Sequence, residues 1–276
     1  MTCPHCQHAN PVDARFCTSC GQPLVLLCLV CQTPNTPDSR FCKACGTSLA
    51  APPRPDLRTA APQSYTPRHL TEKILTSRSA LEGERKQVTV LFCDLVNSTG
   101  LAERLGPEAM HTLLNRFFEL ALAEVHSYEG TVNQFLGDGF MALFGAPVAV
   151  EDHARRGALA ALGIFKGIQQ LHTEVGLYDE MALSVRIGMN TGLVVVGRIG
   201  DNLRMDYTAV GDTTNLAARM QQLAPAGAIW VTEPTYRAAG EAFAWQVLGP
   251  MAVKGKADDL PVGGVSNVDI DGNNTL

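Results

Sequence analysis

The chain has 276 residues, of which 46% are hydrophobic and 18% are charged, and its formal net charge is −5. This composition predicts one domain with a sizeable core plus a smaller module, and the acidic balance excludes a general attraction to nucleic acid or acidic membranes. The amino-terminal residues are polar and do not resemble a signal peptide, and the longest apolar runs are too short to cross a bilayer. We therefore expect a cytoplasmic protein without a membrane partner.

Cysteines dominate the first fifty residues, because eight of the nine lie before residue 46. The same unit, two Cys-x2-Cys pairs, occurs twice at an offset of 25 residues: Cys3, Cys6, Cys17 and Cys20, then Cys28, Cys31, Cys42 and Cys45. Four sulfur ligands favour tetrahedral zinc with no open position for catalysis. We predict a double zinc ribbon over residues 1–50 with two structural Zn²⁺ ions, which supply most of its folding energy. The spacing leaves open whether each repeat keeps its own ion or the pairs interleave.

The sequence of this module disfavours two other interpretations. A disulfide framework is disfavoured because nothing indicates secretion. Nucleic-acid binding is also disfavoured, because the only basic residues among the first fifty are Arg15, Arg40 and Lys43, against Asp13 and Asp38. The sequence therefore favours a regulatory module that binds a protein partner.

Residues 51–84 have the composition of a linker. Prolines disfavour helix and sheet in its first half, at Pro52, Pro53, Pro55, Pro62 and Pro67. The second half predicts a short helix over His69 to Ser77, with Leu70, Ile74 and Leu75 on one side.

A second domain is predicted over residues 85–262. Its pattern begins with a strand, a helix, a strand hairpin, a helix and a strand, at Gln87 to Leu95, Pro107 to Tyr128, Thr131 to Phe144, Val150 to Val175 and Leu183 to Met189. This βαββαβ order indicates an α+β, ferredoxin-like fold, an antiparallel sheet backed by helices. Strand Val194 to Ile199, helix Thr213 to Leu223, strand Ile229 to Thr232 and a closing strand pair around Phe243 to Val253 follow. Residues 263–276 are rich in Gly, Asn and Asp, which predicts a disordered tail and an incomplete closing strand.

Two carboxylates stand at the ends of predicted strands. Asp94 follows the β-branched and aromatic run Val88 to Phe92, and Asp138 lies in the Gly-Asp-Gly turn of the hairpin. If the two strands are neighbours, both carboxylates converge on one metal site.

Four segments of the second domain, taken together and in order, resemble the catalytic domain of class III adenylyl and guanylyl cyclases over about residues 85–256. They are Phe92 to Thr99, Leu136 to Asp138, Arg186 to Gly192 and Tyr207 to Met220. The resemblance implies attack of the ribose 3′-hydroxyl on the α-phosphate of a nucleoside triphosphate, with release of pyrophosphate. No Gly-x4-Gly-Lys-Ser/Thr segment occurs in the sequence, so a P-loop is excluded as an alternative phosphate site.

The resemblance also assigns site residues. Asp94 and Asp138 match the two aspartates that hold two Mg²⁺ or Mn²⁺ ions, and the backbone carbonyl of Leu95 adds a ligand. Asn215 and Arg219 match the asparagine and arginine that stabilise the transition state. Phosphate-facing positions are matched by Arg186 and Lys254, with Lys256 as a substitute for Lys254. In the family one active site combines residues of two chains, which implies a homodimer.

Base selection rests on Gln134 and Thr208. Thr208 matches adenylyl relatives, whereas Gln134 stands where they often carry lysine, and a glutamine amide suits adenine or, flipped, guanine. The sequence thus predicts an adenylate cyclase that makes cyclic AMP from ATP for signal transduction. The alternatives are a guanylate cyclase, a weakly active or inactive regulatory module, or a zinc-ribbon adaptor whose cyclase fold only dimerises.

Cys93 is expected to be a small buried residue, and core or surface roles are expected for His126, His153 and His172.

Overall fold

A computed structural model divides the chain into two compact units, Met1–Pro55 and Asp56–Leu276. The structure describes residues 2–3, 6–11, 14, 16–21, 24–28, 31, 33–36, 39–46, 62–81, 85–175, 182–195, 212–251 and 259–268. Within these ranges no helix combines the length and the apolar character that a membrane span requires.

The described residues of the first unit contain little regular structure. Its described strands are β1 (Leu26–Leu27) and β2 (Pro34–Asn35), which pair antiparallel. Gly21 and Gly46 follow the last cysteine of each repeat, and both have a positive φ, of 72° and 71°. Glycine adopts this conformation without the steric cost that other residues incur, which explains its presence in both repeats.

Two linker helices precede the large sheet of the second unit, α1 (Pro62–Tyr65) and α2 (Arg68–Leu81). The expectation that Pro62 blocks helix formation is wrong: it is the first residue of α1, where the missing N–H of proline costs no hydrogen bond. Helix α2 is longer than the predicted His69 to Ser77. Leu70 and Ile74 are fully buried as expected, whereas Leu75 is 42% exposed.

Seven of the described strands form one sheet in the order β4-β5-β3-β6-β7-β9-β8. The strands are β3 (Arg85–Leu95), β4 (Thr131–Leu136), β5 (Gly139–Phe144), β6 (Val185–Val195), β7 (Ala228–Thr232), β8 (Phe243–Met251) and β9 (Leu260–Val268). All pairings are antiparallel except that of β6 with β7. The first four strands, with the helices between them, have the ferredoxin-like topology, which confirms the predicted fold class.

Helices α4 (Pro107–Ser127) and α5 (His153–Val175) cover one face of this sheet. Alternate residues of β3 point into their core, with Leu91, Cys93 and Leu95 buried beside Phe117 and Phe118. We call this the helical face. On the helical face, the large apolar side chains of the strands and of both helices pack in one core, which makes the sheet rigid.

Helix α6 (Asp212–Leu223) packs on the opposite face, which we call the site face. Its approach to β6 is so close that a Cβ atom at Gly188 would lie 1.9 Å from the backbone nitrogen of Gln221. At Gly192 the added atom would lie 2.7 Å from Oγ1 of Thr213. The two glycines of the Arg186 to Gly192 segment therefore permit α6 to rest directly on the strand.

Some elements differ from the sequence prediction. Helices α3 (Ser98–Leu105) and α7 (Glu233–Ala239) were not predicted. Residues 263–268 belong to β9, which pairs with β7 and β8, so the prediction of disorder from residue 263 is wrong for these six residues. The backbone hydrogen bonds of this strand offset the weak strand propensity of Gly263 and Gly264. The predicted domain limits at residues 50, 84 and 262 remain predictions.

Candidate active site

Asp94 lies near the end of β3, in the middle of the sheet and on the site face. Its neighbours across the two adjacent strands are Gly139 of β5 and Arg186 of β6. Arg186 donates from Nη2 to Oδ2 of Asp94 over 3.0 Å. Gln221 of α6 donates from Nε2 to the same oxygen over 3.2 Å. Two donors thus hold Oδ2, and the carboxylate has a fixed orientation.

Asp138 lies in the two-residue turn that joins β4 and β5. Gly137 precedes it with a φ of 67°, as the tight turn requires. The carbonyl of Asp138 accepts a hydrogen bond of 3.3 Å from the backbone N–H of Leu95. A Cβ atom at Gly139 would lie 2.5 Å from the carbonyl oxygen of Cys93 and 3.1 Å from Oδ1 of Asp94. The absence of a side chain at Gly139 therefore lets the turn close over Asp94.

The two aspartates interact electrostatically. Burial raises the pKa of Asp94 above its usual value, and the negative charge of Asp138 raises it further, while Arg186 opposes both effects. A bound cation would neutralise the negative charge that Asp94 and Asp138 together place at this site. The predicted convergence of Asp94 and Asp138 is thus present in the fold.

This donor set fits a hard divalent ion. Carboxylate and carbonyl oxygens are the ligands that Mg²⁺ and Mn²⁺ prefer, and Arg186 and Gln221 bond only Oδ2 of Asp94 in the described hydrogen bonds. Oδ1 lies on the side of the Gly137 to Gly139 turn, which also carries Asp138. Asp94 and Asp138 are the residues that would hold such ions.

Arg186 has one further donor available. Its Nε atom is buried and has no hydrogen-bond partner among the described residues. A buried unpaired donor on a guanidinium is costly unless a ligand completes it. An anionic group bound on the site face would supply the missing acceptor.

Helix α6 carries both the predicted pair and a residue that sequence reasoning missed. Asn215 is exposed, Arg219 is half-buried, and their spacing of four residues places them on one side of the helix. Gln221 is buried and reaches Asp94. No sequence signal distinguished Gln221, because it lies 127 residues from Asp94 in the chain.

Gln134 is exposed on the site face because of a β-bulge. The register of β4 against β5 shifts between Val132 and Gln134, so that Val132 pairs with Ala142 and Gln134 with Met141. Val132 points into the core of the helical face. Without the bulge, residues two apart would point the same way, so the extra residue turns Gln134 to the side of Asp94. Thr208, Lys254 and Lys256 lie outside the described residues.

The cysteines form two separate clusters among the described residues, Cys3, Cys6, Cys17 and Cys20, and Cys28, Cys31, Cys42 and Cys45. Contacts within them are 3.6 Å for Cys3 with Cys20 and for Cys6 with Cys17, and 3.6 and 3.5 Å for the equivalent pairs of the second repeat. Four sulfurs around a tetrahedral zinc ion stand about 3.8 Å apart. All eight cysteines are free of disulfides. Each repeat thus brings together its own four ligands, and the interleaved arrangement is not found.

Backbone and asparagine donors prepare one thiolate in each cluster. Burial raises the pKa of Cys17, but backbone N–H groups of Cys20 and Ser19 and the amide of Asn10 outweigh it and lower the value to about 6. The backbone N–H of Cys45 chiefly lowers the pKa of Cys42, also to about 6. Asn10 and Asn35 donate to these sulfurs over 3.5 and 3.7 Å. Thiolates are the form that binds zinc, so both clusters fit the ion.

The histidines and the last cysteine have the structural roles that were expected. Cys93 is buried, which raises the pKa of its thiol well above the usual range. Nδ1 of His153 lies 2.9 Å from the hydroxyl of Thr89. His172 accepts a hydrogen bond from the backbone N–H of Leu183. His126 is buried in α4.

Comparisons with known proteins found matches for both parts of the chain. The model of the adenylate and guanylate cyclase catalytic domain matches residues 82–264, and that of the double zinc ribbon matches residues 3–46. Adenylate cyclase 1 from Rhizobium meliloti (strain 1021) is 32% identical over 159 residues, which are 57% of this chain and 24% of that protein. The chain thus spans about a quarter of the length of the curated relatives it matches.

Solved structures of both nucleotide specificities are similar to the chain. The adenylyl cyclase CyaB from P. aeruginosa matches with a TM-score of 0.62 and 32% identity, over 68% of this chain and 97% of that one. The guanylate cyclase domain of RhGC from Catenaria anguillulae, solved in complex with GTP, has a TM-score of 0.60 and 32% identity, over 67% and 99%. The fold and the identity alone therefore do not separate adenine from guanine.

Proposed function

Because the chain belongs to the adenylate and guanylate cyclase catalytic-domain family, with a double zinc ribbon before that domain, we propose that it converts ATP to 3′,5′-cyclic AMP and pyrophosphate. The observation that carries this proposal is the convergence of Asp94 and Asp138 on the site face beside α6. A fold used only for dimerisation would not need Asp138 so close to Asp94 that its charge raises the pKa of Asp94.

The reaction is an intramolecular displacement at phosphorus. The ribose 3′-oxygen forms a bond to the α-phosphorus, the bond from the α-phosphorus to the bridging oxygen of the β-phosphate breaks, and the 3′-hydroxyl proton is released. Two Mg²⁺ or Mn²⁺ ions would lower the pKa of the hydroxyl and neutralise phosphate charge. Asp94, Asp138 and the Leu95 carbonyl would hold them.

The remaining side chains bind and orient the substrate. Arg219 offers a planar guanidinium to phosphate oxygens, and Asn215 on the same side of α6 can orient the ribose. Arg186 contributes its unpaired Nε as a donor toward a phosphate, while its Nη2 keeps Asp94 in place. Lys254, or Lys256 in its place, would add a further positive charge at the phosphates.

Adenine is favoured through Thr208, with Gln134 as the second base-reading residue. The exposure of Gln134 on the site face supports a role in base recognition. Its amide can accept from the adenine N6 amino group while it donates to N1.

A complete site would form between two copies of the chain. Within one chain, Asp94, Asp138 and the exposed side of α6 lie on the site face. The large helices α4 and α5 cover the opposite face, and the side chain of Asp94 is 26% exposed. A homodimer that covers this face would place Asn215 and Arg219 of one chain over Asp94 and Asp138 of the other.

The zinc ribbons would bind a protein partner rather than nucleic acid. Phe16 and Phe41 occupy equivalent positions of the two repeats, and each is 62% exposed. Exposed aromatic side chains of this size are typical of protein contact surfaces.

The purified 276-residue chain tests the proposal directly. It should form cyclic AMP from ATP only with Mg²⁺ or Mn²⁺ present, and Asp94→Ala should abolish this activity. Glu103→Ala, on exposed residue Glu103 of α3, is the matched control and should keep it. Cyclic GMP from GTP as the main product would identify a guanylate cyclase instead. If neither ATP nor GTP gave a cyclic product, both assignments would be refuted.

A further inference from the structure

The catalytic unit contains a cavity away from Asp94 and Asp138. It has a volume of about 790 Å³ and lies between the linker helices and α4, with Arg156 of α5 at one end. Its apolar lining comes from Tyr65, Pro67 and Leu122. We call this space the linker cavity.

One buried polar group in the linker cavity has no partner. His126 is 6% exposed, and its Nε2 atom has no hydrogen-bond partner among the described residues. Burial, and secondarily the nearby His69, lowers the pKa of His126 to about 4, so the ring is neutral at neutral pH. A buried neutral imidazole that lines a cavity with an unmet hydrogen bond marks a place for a polar atom of a ligand.

The charges around the linker cavity are largely paired. Glu129 forms ion pairs with Lys73 of α2 and, over 3.1 Å, with Arg156, which also bonds Asp152 over 2.7 Å. A strongly charged ligand would have to break these pairs, and Glu119 on the rim adds a negative charge. The balance therefore favours a neutral molecule.

The shape of the cavity lining favours an aromatic ligand. The ring of Tyr65 stacks on that of His126 at a centroid distance of 6.4 Å and an interplanar angle of 16°. A flat apolar ring fits beside such a pair better than a branched aliphatic group does. A hydroxyl on that ring can either donate or accept, so it satisfies Nε2 in either tautomer of the histidine.

We propose that the linker cavity is a binding site for a small neutral phenol, whose ring packs against Tyr65 and Leu122 and whose hydroxyl bonds Nε2 of His126. The site is built partly from linker residues, so occupancy adds contacts between the linker helices and α4.

Occupancy would also affect catalysis, and this second step rests on the proposed function. Tyr65 contacts the ring of Phe135 edge-on at 5.8 Å. Phe135 is the neighbour of Gln134 in β4, the strand that leads into the Asp138 turn. A ligand that packs against Tyr65 and shifts its ring would therefore change the packing under the hairpin that carries both residues.

Binding is tested by NMR on the full-length protein with labelled histidine, titrated with p-cresol. The proposal expects a saturable shift of the His126 resonance and at least a tenfold weaker affinity in His126→Phe, with unchanged affinity in His111→Phe. His111 is an exposed histidine of the same helix, which makes it a matched control. Ala123→Phe fills the cavity from an exposed position and should also weaken binding. This second variant keeps the test informative if the His126 variant misfolds.

Absence of a saturable shift in the folded wild-type protein, or equal affinity in all variants, would overturn the site. The coupling has a separate readout. Saturating p-cresol should change cyclic AMP formation at least twofold in the wild type and less in Phe135→Leu. If p-cresol binds and the enzyme is active but its rate does not change, coupling is refuted while the site stands. If the protein binds p-cresol but forms no cyclic nucleotide, only the proposed function fails.

Discussion

The side chain of Gln221 donates to Oδ2 of Asp94 over 3.2 Å, from the same helix that carries Asn215 and Arg219. The helix that presents the proposed transition-state residues thus also orients a proposed metal ligand. In the proposed homodimer these two roles serve different active sites, so a displacement of α6 in one chain would disturb both sites.

Replacement of Gln221 by methionine should therefore impair metal-dependent activity without unfolding the protein. Methionine has a similar volume but donates no hydrogen bond, so the pKa of Asp94 should rise further. The metal concentration needed for half-maximal activity should increase about tenfold. Because metal binding needs the ionised carboxylate, the acid limb of the pH-rate profile should move to higher pH. Gln222→Met, at the exposed neighbouring position, is the control, and an identical pH profile in both variants would contradict the positioning role.

A single methyl group at Gly188 should displace α6. The added Cβ would lie 1.9 Å from the backbone nitrogen of Gln221 and 2.5 Å from the carbonyl oxygen of Ala217, and backbone atoms cannot yield as a side chain can. We expect Gly188→Ala to destabilise the protein by about 1–3 kcal/mol in urea unfolding and to reduce kcat. Gly264→Ala, whose nearest contact would be 3.6 Å away, should resemble the wild type. Wild-type stability and kcat in Gly188→Ala would show that α6 does not rest on β6 as described.

Complementation tests whether the active site is shared between chains. Asp94→Ala and Asn215→Ala proteins should each be inactive, since one lacks a metal carboxylate and the other a transition-state residue. In an equal mixture with random subunit exchange, about half of the dimers would be heterodimers, each with one intact site out of two, so activity should return to about a quarter of the wild-type level. Absence of any activity in an isolated heterodimer would argue against shared sites.

Zinc removal should unfold the first unit alone. The purified chain should contain two zinc ions, and a strong chelator should bring amide hydrogen exchange in the described parts of Met1–Pro55 to the unfolded rate. The unit from Asp56 to Leu276 has its own core and should keep its protection. Retained protection in the first unit after complete loss of zinc would refute the structural role of the metal.

His126 should make the catalytic unit less stable in acid. Its pKa is about 4 in the folded chain against 6.5 for an unperturbed histidine, so the unfolded chain binds more protons between these values. Stability from this group is therefore present above pH 6.5 and is lost as the pH falls toward 4.

Tryptophan fluorescence, which reports on Trp230 and Trp245 in the catalytic unit, can follow urea unfolding at pH 7 and pH 4.5. The wild type should lose about 2 kcal/mol more over this interval than His126→Phe, whose phenyl ring has no proton to bind. The exposed-site variant His111→Phe should lose as much as the wild type. Equal losses in all three proteins would mean that His126 is not buried as a neutral ring.

Long elements with strong periodicity could be predicted from sequence, because each buries a whole face. Helix α4 and the hairpin at Asp138 were predicted nearly to the residue, and the βαββαβ order followed from them. Helix α3 was not, since it has eight residues and only Leu101 buried. Strand β9 was missed because Gly263 and Gly264 read as loop, whereas its stability comes from pairing with β7 and β8.

The residues of the candidate site also differ in whether the sequence alone could predict their role. Asp94 and Asp138 could be placed because each ends or turns a strand, and local pattern reports on such positions. Gln221 could not, because its role depends on a partner brought close only by the packing of α6 on β6. Asn10 and Asn35 occupy equivalent positions of the two repeats, but their bonds to Cys17 and Cys42 depend on how each repeat folds and have no signal of their own in the sequence.

The bulge in β4 limits how this domain can vary in evolution. Phe135 packs against Phe118 in the core, and Gln134 beside it points the other way. Deletion of the extra residue would exchange the two orientations and put an amide among aromatic rings while a phenyl ring replaced it on the outside. Lineages that change base preference are thus expected to substitute residue 134 and to conserve the length of this strand.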